Sequence, residues 1–339
     1  MLSLWERVLL LLLVLLLGCW GELPSQPPVS RHRGMNYVAW NPEQFALLPF
    51  PDELDLLKTL GVQDVAVPVT WYQAHAQATE IAPDLQRSLP DGDLIRILRR
   101  LRAAGWRISL RPLVDLKGGH WRGEIAFSRE SDWKRWFESY QRFLVHYAQI
   151  AAREGVALFS VGTELERTVT REQQWREVIA RVREVFPGAL TYSANWDGYE
   201  RVPFWNALDY VGIDAYFELN VPSEPTVEAL VRAWRPWEER LDGFATRLQK
   251  PILFTEAGLR SVAGASQRPW DWQRSAPISL QEQANYYEAL FRVFWSKPWL
   301  GGIYIWAWIP GLGGPKDSTY TPTGKPAAQV LARWYRRGD

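Results

Sequence analysis

The sequence predicts an α/β protein that forms a single closed barrel of eight parallel strands, and three observations lead to this fold class. Eight short apolar or β-branched runs are distributed along the chain, and stretches with helical periodicity separate most of them. Most of these runs lack polar alternation, as expected for strands that are covered on both faces. No Gly-rich nucleotide fingerprint follows the first run, so a (β/α)8 TIM barrel is favoured over an open doubly wound sheet.

The strand-like runs have similar lengths and are spread over the whole chain after its first 33 residues. They cover residues 34–40, 63–71, 107–116, 158–165, 189–196, 210–217, 251–258 and 302–308. Apolar residues spaced three or four apart predict helices across 133–150, 227–248 and 286–294. Ser279 with Glu282, and Thr170 with Gln173, have capping-box spacing and predict two helix starts.

The composition excludes several classes of protein. The 39 basic and 38 acidic side chains give a formal net charge of +1, which argues against a nucleic-acid partner. The chain contains 20 Trp, 13 Tyr and 13 Phe, enough apolar surface for a large core. With one cysteine and four scattered histidines, we expect no intramolecular disulfide and no metal site.

The amino-terminal residues indicate export. Residues 8–17 are all Val or Leu, a run that is shorter than the roughly 20 residues of a membrane-spanning helix. The run ends at Gly18 and Cys19 and resembles the lipobox of bacterial lipoproteins, in which the cysteine is lipidated. An ordinary thiol beside a signal peptide or an uncleaved anchor is the alternative, because the preceding charges of Glu6 and Arg7 cancel.

These features predict three segments. Residues 1–18 are a signal peptide that ends before a lipidated Cys19, and residues 19–33 are a tether that contains Pro and Ser. Residues 34–339 are the barrel. We expect the protein to be exported and lipid-anchored at the bacterial cell envelope, on the outer face of a membrane, or secreted, with the membrane contacted only through the lipid.

Two glutamates stand at the ends of predicted strands, where the active sites of such barrels are built. Glu164 closes the fourth run and Glu256 closes the seventh. Two carboxyls that face each other across a barrel mouth are the apparatus of glycoside hydrolysis, because one protonates the leaving oxygen while the other attacks the anomeric carbon. Each glutamate could instead pair with an arginine. Glu166 lies past the strand end and could pair with Arg167.

Three motifs resemble those of glycoside hydrolase family 113, namely GTELE at 162–166, FTEAG at 254–258 and WRGEI at 121–125. The resemblance implies a retaining mechanism without a cofactor, with Glu164 as acid/base, Glu256 as nucleophile and β-1,4-mannan as substrate class. Thr163 departs from the wider clan, where many relatives carry an asparagine that binds the sugar 2-hydroxyl.

Further site residues follow from the same resemblance and from their positions at strand ends. Tyr216 is similar to the clan tyrosine that donates a hydrogen bond to the nucleophile, and Trp306 is similar to the clan tryptophan beneath the cleaved sugar. Asp214 lies on the same face as Tyr216, one layer deeper. The other residues expected to contact sugar are tryptophans at the ends of predicted strands and polar side chains that could hydrogen-bond sugar hydroxyls. The tryptophans are Trp40, Trp71, Trp196 and Trp308, and the polar residues are Asn36, Asp115, Asn195 and Asp197.

The sequence leaves two roles possible for Arg111, a contact with substrate or a structural ion pair inside the barrel. The loops 117–124 and 265–278 contain Gly or Pro and are expected to shape the cleft.

These observations predict a surface-tethered, monomeric glycosidase of the mannanase type that acts on a polysaccharide or an oligosaccharide. One alternative is a carbohydrate-binding lipoprotein that has lost catalysis, although such a protein would need neither member of the glutamate pair. Another is the same chemistry on a β-glucosidic or exopolysaccharide bond.

Overall fold

The computed structural model describes residues 31–39, 44 and 51–337. Eight parallel strands pair in chain order, and the first pairs with the last, so the sheet is a closed barrel. The predicted fold class is therefore confirmed. The strands are β1 (His32–Tyr37), β2 (Asp64–Gln73), β3 (Arg107–Leu116), β4 (Leu158–Thr163), β5 (Ala189–Asn195), β6 (Val211–Asp214), β7 (Ile252–Ala257) and β8 (Leu300–Trp308).

Helices follow seven of the eight strands and form the outer layer. They are α1 (Pro51–Thr59), α2 (Asp91–Ala103), α3 (Glu130–Arg153), α4 (Glu172–Val185), α5 (Val227–Leu248), α6 (Leu280–Phe294) and α7 (Pro326–Tyr335). Two 3-10 turns, Tyr199–Arg201 and Trp205–Ala207, connect β5 to β6. The three helices predicted from apolar stripes are confirmed as α3, α5 and α6.

Both predicted capping boxes are wrong. Helix α6 begins after Ser279, but the hydroxyl of Ser279 donates to Glu224 rather than to the helix. Glu282 is buried and accepts hydrogen bonds from the amides of Gly264 and Ser266, at 2.8 and 3.0 Å. Its carboxylate therefore fixes the loop between β7 and α6 instead of capping a helix. Thr170 lies in a 3-10 turn and donates to the Arg167 carbonyl.

A buried polar cluster closes the amino-terminal end of the barrel. The Asp64 carboxylate contacts His32 Nδ1 at 2.7 Å and accepts from Arg107 Nη2 at 2.8 Å. Although burial opposes the charge, hydrogen bonds from His32 and Arg107 hold the pKa of Asp64 below its ordinary value. Tyr304 on β8 lies 2.9 Å from the same His32 nitrogen. The cluster ties together β1, β2, β3 and β8 at the end opposite to the loops of the predicted site.

Part of the predicted chain organisation lies outside the described residues. This holds for residues 1–18, for Cys19 and for most of the tether, and also for Trp40. Strand β1 begins at His32, before the predicted barrel boundary at residue 34. Within the described ranges, no helix has the length and apolar character that a membrane crossing requires.

Candidate active site

The two glutamates predicted to be catalytic lie at the carboxyl ends of their strands. Glu164 directly follows β4, and Glu256 is the penultimate residue of β7. Their side chains are 20% and 11% exposed, so both reach solvent while most of their surface is covered. The charge of Glu256 also acts on Glu164, where it helps to raise the pKa. Both carboxyls therefore lie at the same end of the barrel, close enough for the charge of one to act on the other.

Two donors hold the Glu256 carboxylate, one at each oxygen. Arg111 Nη2 lies 2.8 Å from Oε1, and the Tyr216 hydroxyl donates to Oε2 at 2.6 Å. Tyr216 follows the end of β6, and its position is the one predicted for the hydrogen bond to the nucleophile. Side chains from β3 and from the segment after β6 therefore fix both oxygens of Glu256.

Arg111 is buried and belongs to a polar floor beneath the site. From β3, its Nη1 donates to Asn36 Oδ1 at 2.8 Å and to the Thr255 carbonyl at 3.2 Å. Its Nη2 also donates to Asp214 Oδ1 at 3.4 Å. Of the two possibilities that the sequence left open, the structure shows the ion pair inside the barrel.

Asn36 and Asp214 are fully buried in this floor, which does not support the sugar contacts expected for them. The Asn36 amide donates to the carbonyls of Thr255 and Ile305. Asp214 accepts from the Thr255 hydroxyl at 2.8 Å. Burial and the charge of Glu256 raise the pKa of Asp214 well above its ordinary value, which favours a neutral side chain.

Glu164 has a different environment. Burial raises its pKa, the Arg122 guanidinium opposes this increase, and the charge of Glu256 adds to it. Arg122 Nη1 lies 3.7 Å from Oε2, and the Trp121 indole N–H donates to the same oxygen at 3.5 Å. Glu164 has a φ of 52°, in the left-handed region, while its amide donates to the Ser193 carbonyl. Such strain in a non-Gly residue is concentrated at functional sites.

Two tryptophans expected in the cleft pack against helices. Trp71 contacts the rings of Phe143 and Tyr147 on α3, at centroid distances of 5.2 and 5.8 Å. Trp196 contacts Trp237 on α5 at 5.6 Å. Both residues are only partly buried, so their sugar contacts stay predictions. Trp308 is 1% exposed, so the sugar contact predicted for it is wrong. Trp306 on β8 is only partly buried, as its predicted place at the sugar requires.

Other predicted polar residues have partners within the protein. Asp115 accepts from Arg122 Nε and Nη2, at 3.0 and 2.6 Å. Asn195 donates to Asp197 at 2.8 Å. Glu166 accepts from Arg201 Nε at 3.0 Å rather than from Arg167.

Exposed tryptophans in the loops were missed as individual site residues. Trp121 follows β3, and Trp270 and Trp272 follow β7; they are 43%, 44% and 68% exposed. The Trp270 indole donates to Glu218 at 2.9 Å, which fixes its ring. All three lie in the two loops predicted to shape the cleft, and that position in the sequence could have identified them as candidate site residues. Among the described residues, no group of three or more His, Cys, Asp or Glu side chains could hold a metal ion.

Comparison with known proteins agrees with this geometry. The model of Glycoside Hydrolase Family 113 matches residues 43–324. The chain belongs to this family. It is therefore a glycosidase. A comparison with curated proteins gave no match.

Solved structures of family 113 members are similar over most of the chain. A structure described as the complex structure of GH113 beta-1,4-mannanase has a TM-score of 0.83 and 28% identity, covering 91% of this chain and 99% of the other. The GH113 beta-mannanase AaManA from Alicyclobacillus acidocaldarius, in complex with ManMIm, has a TM-score of 0.81 and 30% identity with the same coverage. The beta-glucuronidase of Ruminococcus gnavus, with a TM-score of 0.62 and 14% identity over 92% of this chain and 52% of its own, shares the fold alone.

The Tyr216 hydroxyl should contribute to turnover by this glycosidase. We expect Tyr216→Phe to lower kcat/KM on an aryl β-glycoside by about 10- to 100-fold, because a hydrogen bond to a charged group is worth roughly 1.5–3 kcal/mol. Tyr140→Phe is the matched control, since it removes a buried hydroxyl that donates to the Val161 carbonyl. Equal losses per folded molecule in both variants would contradict the role of Tyr216.

Proposed function

We propose that the protein hydrolyses β-1,4-linked mannan with retention of anomeric configuration, with Glu164 as the acid and base and Glu256 as the nucleophile. The observation that carries this proposal is the contrast between the two carboxyls. Arg111 and Tyr216 bind both oxygens of Glu256, whereas burial raises the pKa of Glu164. Opposite environments of this kind separate the acid from the nucleophile in glycosidases.

The reaction proceeds in two displacements. A Glu256 oxygen attacks the anomeric carbon while the bond to the leaving oxygen breaks, and Glu164 gives its proton to that oxygen. This step yields a covalent glycosyl-enzyme and an ionised Glu164. Glu164 then accepts a proton from water, the water oxygen attacks the anomeric carbon, and the bond to Glu256 breaks. Both carboxyls return to their starting forms.

The substrate class rests on the family and on its solved members, two of which are described as β-1,4-mannanases. A second candidate substrate is another β-linked glycan. Thr163 supports this candidate, because it stands where many clan relatives have the asparagine that binds the sugar 2-hydroxyl. The Thr163 side chain is 2% exposed, and its hydroxyl has no hydrogen-bond partner among the described residues. Recognition of the sugar 2-hydroxyl must therefore come from another residue. Reducing-sugar release from mannan, glucomannan, xylan and cellulose separates these candidates, while binding without release on all four would indicate the non-catalytic alternative.

The nucleophile assignment can be tested by chemical rescue. Glu256→Ala should reduce turnover of an activated aryl β-mannoside below about a thousandth of the wild-type rate, a loss of roughly 4 kcal/mol in barrier terms. Azide fits the vacated space and should restore turnover with formation of an α-mannosyl azide, identified by NMR. The assignment is wrong if the variant keeps more activity than this, or if Glu164→Ala alone gives the α-azide.

Long substrates should use the exposed tryptophans of the β7–α6 loop. This loop lies beside the nucleophile, because the Tyr320 hydroxyl donates to the Pro269 carbonyl and the Tyr320 ring contacts Tyr216 at 6.4 Å. A flat sugar face can stack on such a ring. Trp272→Ala should therefore lower kcat/KM on mannan about five- to tenfold, or about 1 kcal/mol, without affecting a short aryl mannoside.

Leu56→Ala on α1 removes another exposed apolar side chain, 40% exposed, and serves as the control. If Trp272→Ala lowered kcat/KM equally on mannan and on the aryl mannoside, the proposed stacking of a sugar on Trp272 would be wrong.

We also propose that Cys19 carries a lipid that attaches the barrel to a membrane, as the apolar run before it suggests. Cys19→Ser should move the protein from the membrane fraction to the soluble fraction of an expressing bacterium. Retention in the membrane fraction would instead indicate an uncleaved anchor.

A further inference from the structure

An arginine beside a catalytic acid presents a physical difficulty. If the proposed function is right, Glu164 must hold a proton until the leaving oxygen takes it. An opposite charge within about 4–6 Å stabilises the ionised carboxylate, and a direct pair lowers a carboxyl pKa by about 1–3 units. Arg122 Nη1 lies 3.7 Å from Glu164 Oε2. Another group must therefore limit the effect of the Arg122 guanidinium on the pKa of Glu164.

Asp115 lies where it can limit the effect of Arg122 on Glu164. Its Oδ1 accepts from both Nε and Nη2 of Arg122, at 3.0 and 2.6 Å, so one edge of the guanidinium is engaged by Asp115. Only Nη1 is turned towards Glu164, at a separation longer than the 2.7–2.9 Å of a charge-assisted hydrogen bond. Asp115 also places a negative charge beside Arg122, which reduces the field of the cation at Glu164.

The local backbone holds Arg122 in this geometry. Arg122 begins a 3-10 turn, Arg122–Glu124, in which the Glu124 amide donates to the Trp121 carbonyl at 3.1 Å. A Cβ on Gly123 would meet the Trp121 ring at 2.4 Å, so the indole lies directly against this glycine. Trp121 and Arg122 therefore approach Glu164 from one short turn, and Asp115 on β3 fixes the angle of the guanidinium.

We propose that Asp115 is a positioning residue of the reaction, which holds the Arg122 guanidinium back from Glu164 so that Glu164 can still donate a proton. The proposal rests on the proposed role of Glu164 and deepens it. Neither Asp115 nor Arg122 forms a bond to substrate in this account, since both act through Glu164.

The other charged or titratable groups that act on Glu164 come from four elements. They are Arg111 on β3, Tyr192 on β5, Asp214 on β6 and Glu256 on β7. Of the two cations, Arg122 lowers the pKa of Glu164 more than Arg111 does. Substitutions at Asp115 and Arg122 leave the other four groups in place, so a shift can be assigned to this pair.

The test compares Asp115→Asn and Arg122→Gln by the pH dependence of kcat/KM on mannotetraose. Asp115→Asn removes the countercharge, so Arg122 stabilises ionised Glu164 more strongly, and the basic limb should move to lower pH by about 0.5–1 unit. Arg122→Gln removes the cation, so the basic limb should move to higher pH. If Asp115 and Arg122 had only a structural role, both variants would lower activity, but the basic limb of the pH profile would not move in opposite directions.

Two controls sharpen the interpretation. In the Arg122→Gln background, Asp115→Asn should shift the limb by less than about 0.3 unit, because Asp115 acts through Arg122. With 2,4-dinitrophenyl β-mannoside, whose leaving group needs no proton, the basic limb should not respond to either variant. Equal shifts on both substrates would mean that a group other than the acid had changed.

A measurement without turnover separates this inference from the proposed function. The Glu164 carboxyl can be titrated by ¹³C NMR, with Glu164→Gln used to assign its signal. A lower midpoint in Asp115→Asn and a higher one in Arg122→Gln support the inference even if wild-type enzyme fails on mannotetraose, which would refute only the substrate. An unchanged midpoint in Asp115→Asn, with the fold intact by circular dichroism, overturns the inference.

Discussion

The active site depends on one buried cation. Arg111 is 3% exposed, and a charge so far from water is tolerated only when carboxylates and hydrogen-bond acceptors surround it. These come from β1, β6 and β7 through Asn36, Asp214 and Glu256. Only a closed barrel brings those strands around a side chain from β3. The closed barrel and the position of the Glu256 carboxylate therefore depend on the same buried ion pair.

An arginine lies beside each glutamate, and the difference between the two pairs is consistent with the different roles proposed for the glutamates. Arg111 contacts Glu256 directly and has no ionised competitor, because the buried Asp214 is favoured in its neutral form. Arg122 is bound to Asp115 and stays farther from Glu164. The two arginines therefore act differently: Arg111 contacts its carboxylate directly, whereas distance and the Asp115 counterion weaken the effect of Arg122 on Glu164, whose pKa burial raises.

The sequence predicted the barrel, the strand-end positions of Glu164 and Glu256, and the position of Tyr216 because strand ends are marked by local patterns. It predicted that Asp214 lies a layer deeper than Tyr216, but it did not predict that this depth would remove Asn36 and Asp214 from contact with sugar. Asn36 and Asp214 share the inward face with true mouth residues, but they lie a layer lower, where buried partners satisfy them. Trp71 also closed a predicted run, yet its ring packs on α3. Asp115 is paired with Arg122, which lies in a loop, and no periodic pattern in the sequence predicts that contact.

The stereochemistry of the first product tests the central claim most directly. Hydrolysis of mannotetraose can be followed by ¹H NMR, with the anomeric signals recorded before mutarotation. If Glu256 attacks the anomeric carbon and Glu164 serves as acid and then base, the new reducing end appears first as the β-anomer. Initial appearance of the α-anomer would mean that water attacks directly, and the two carboxyls would then have roles other than those argued from their environments.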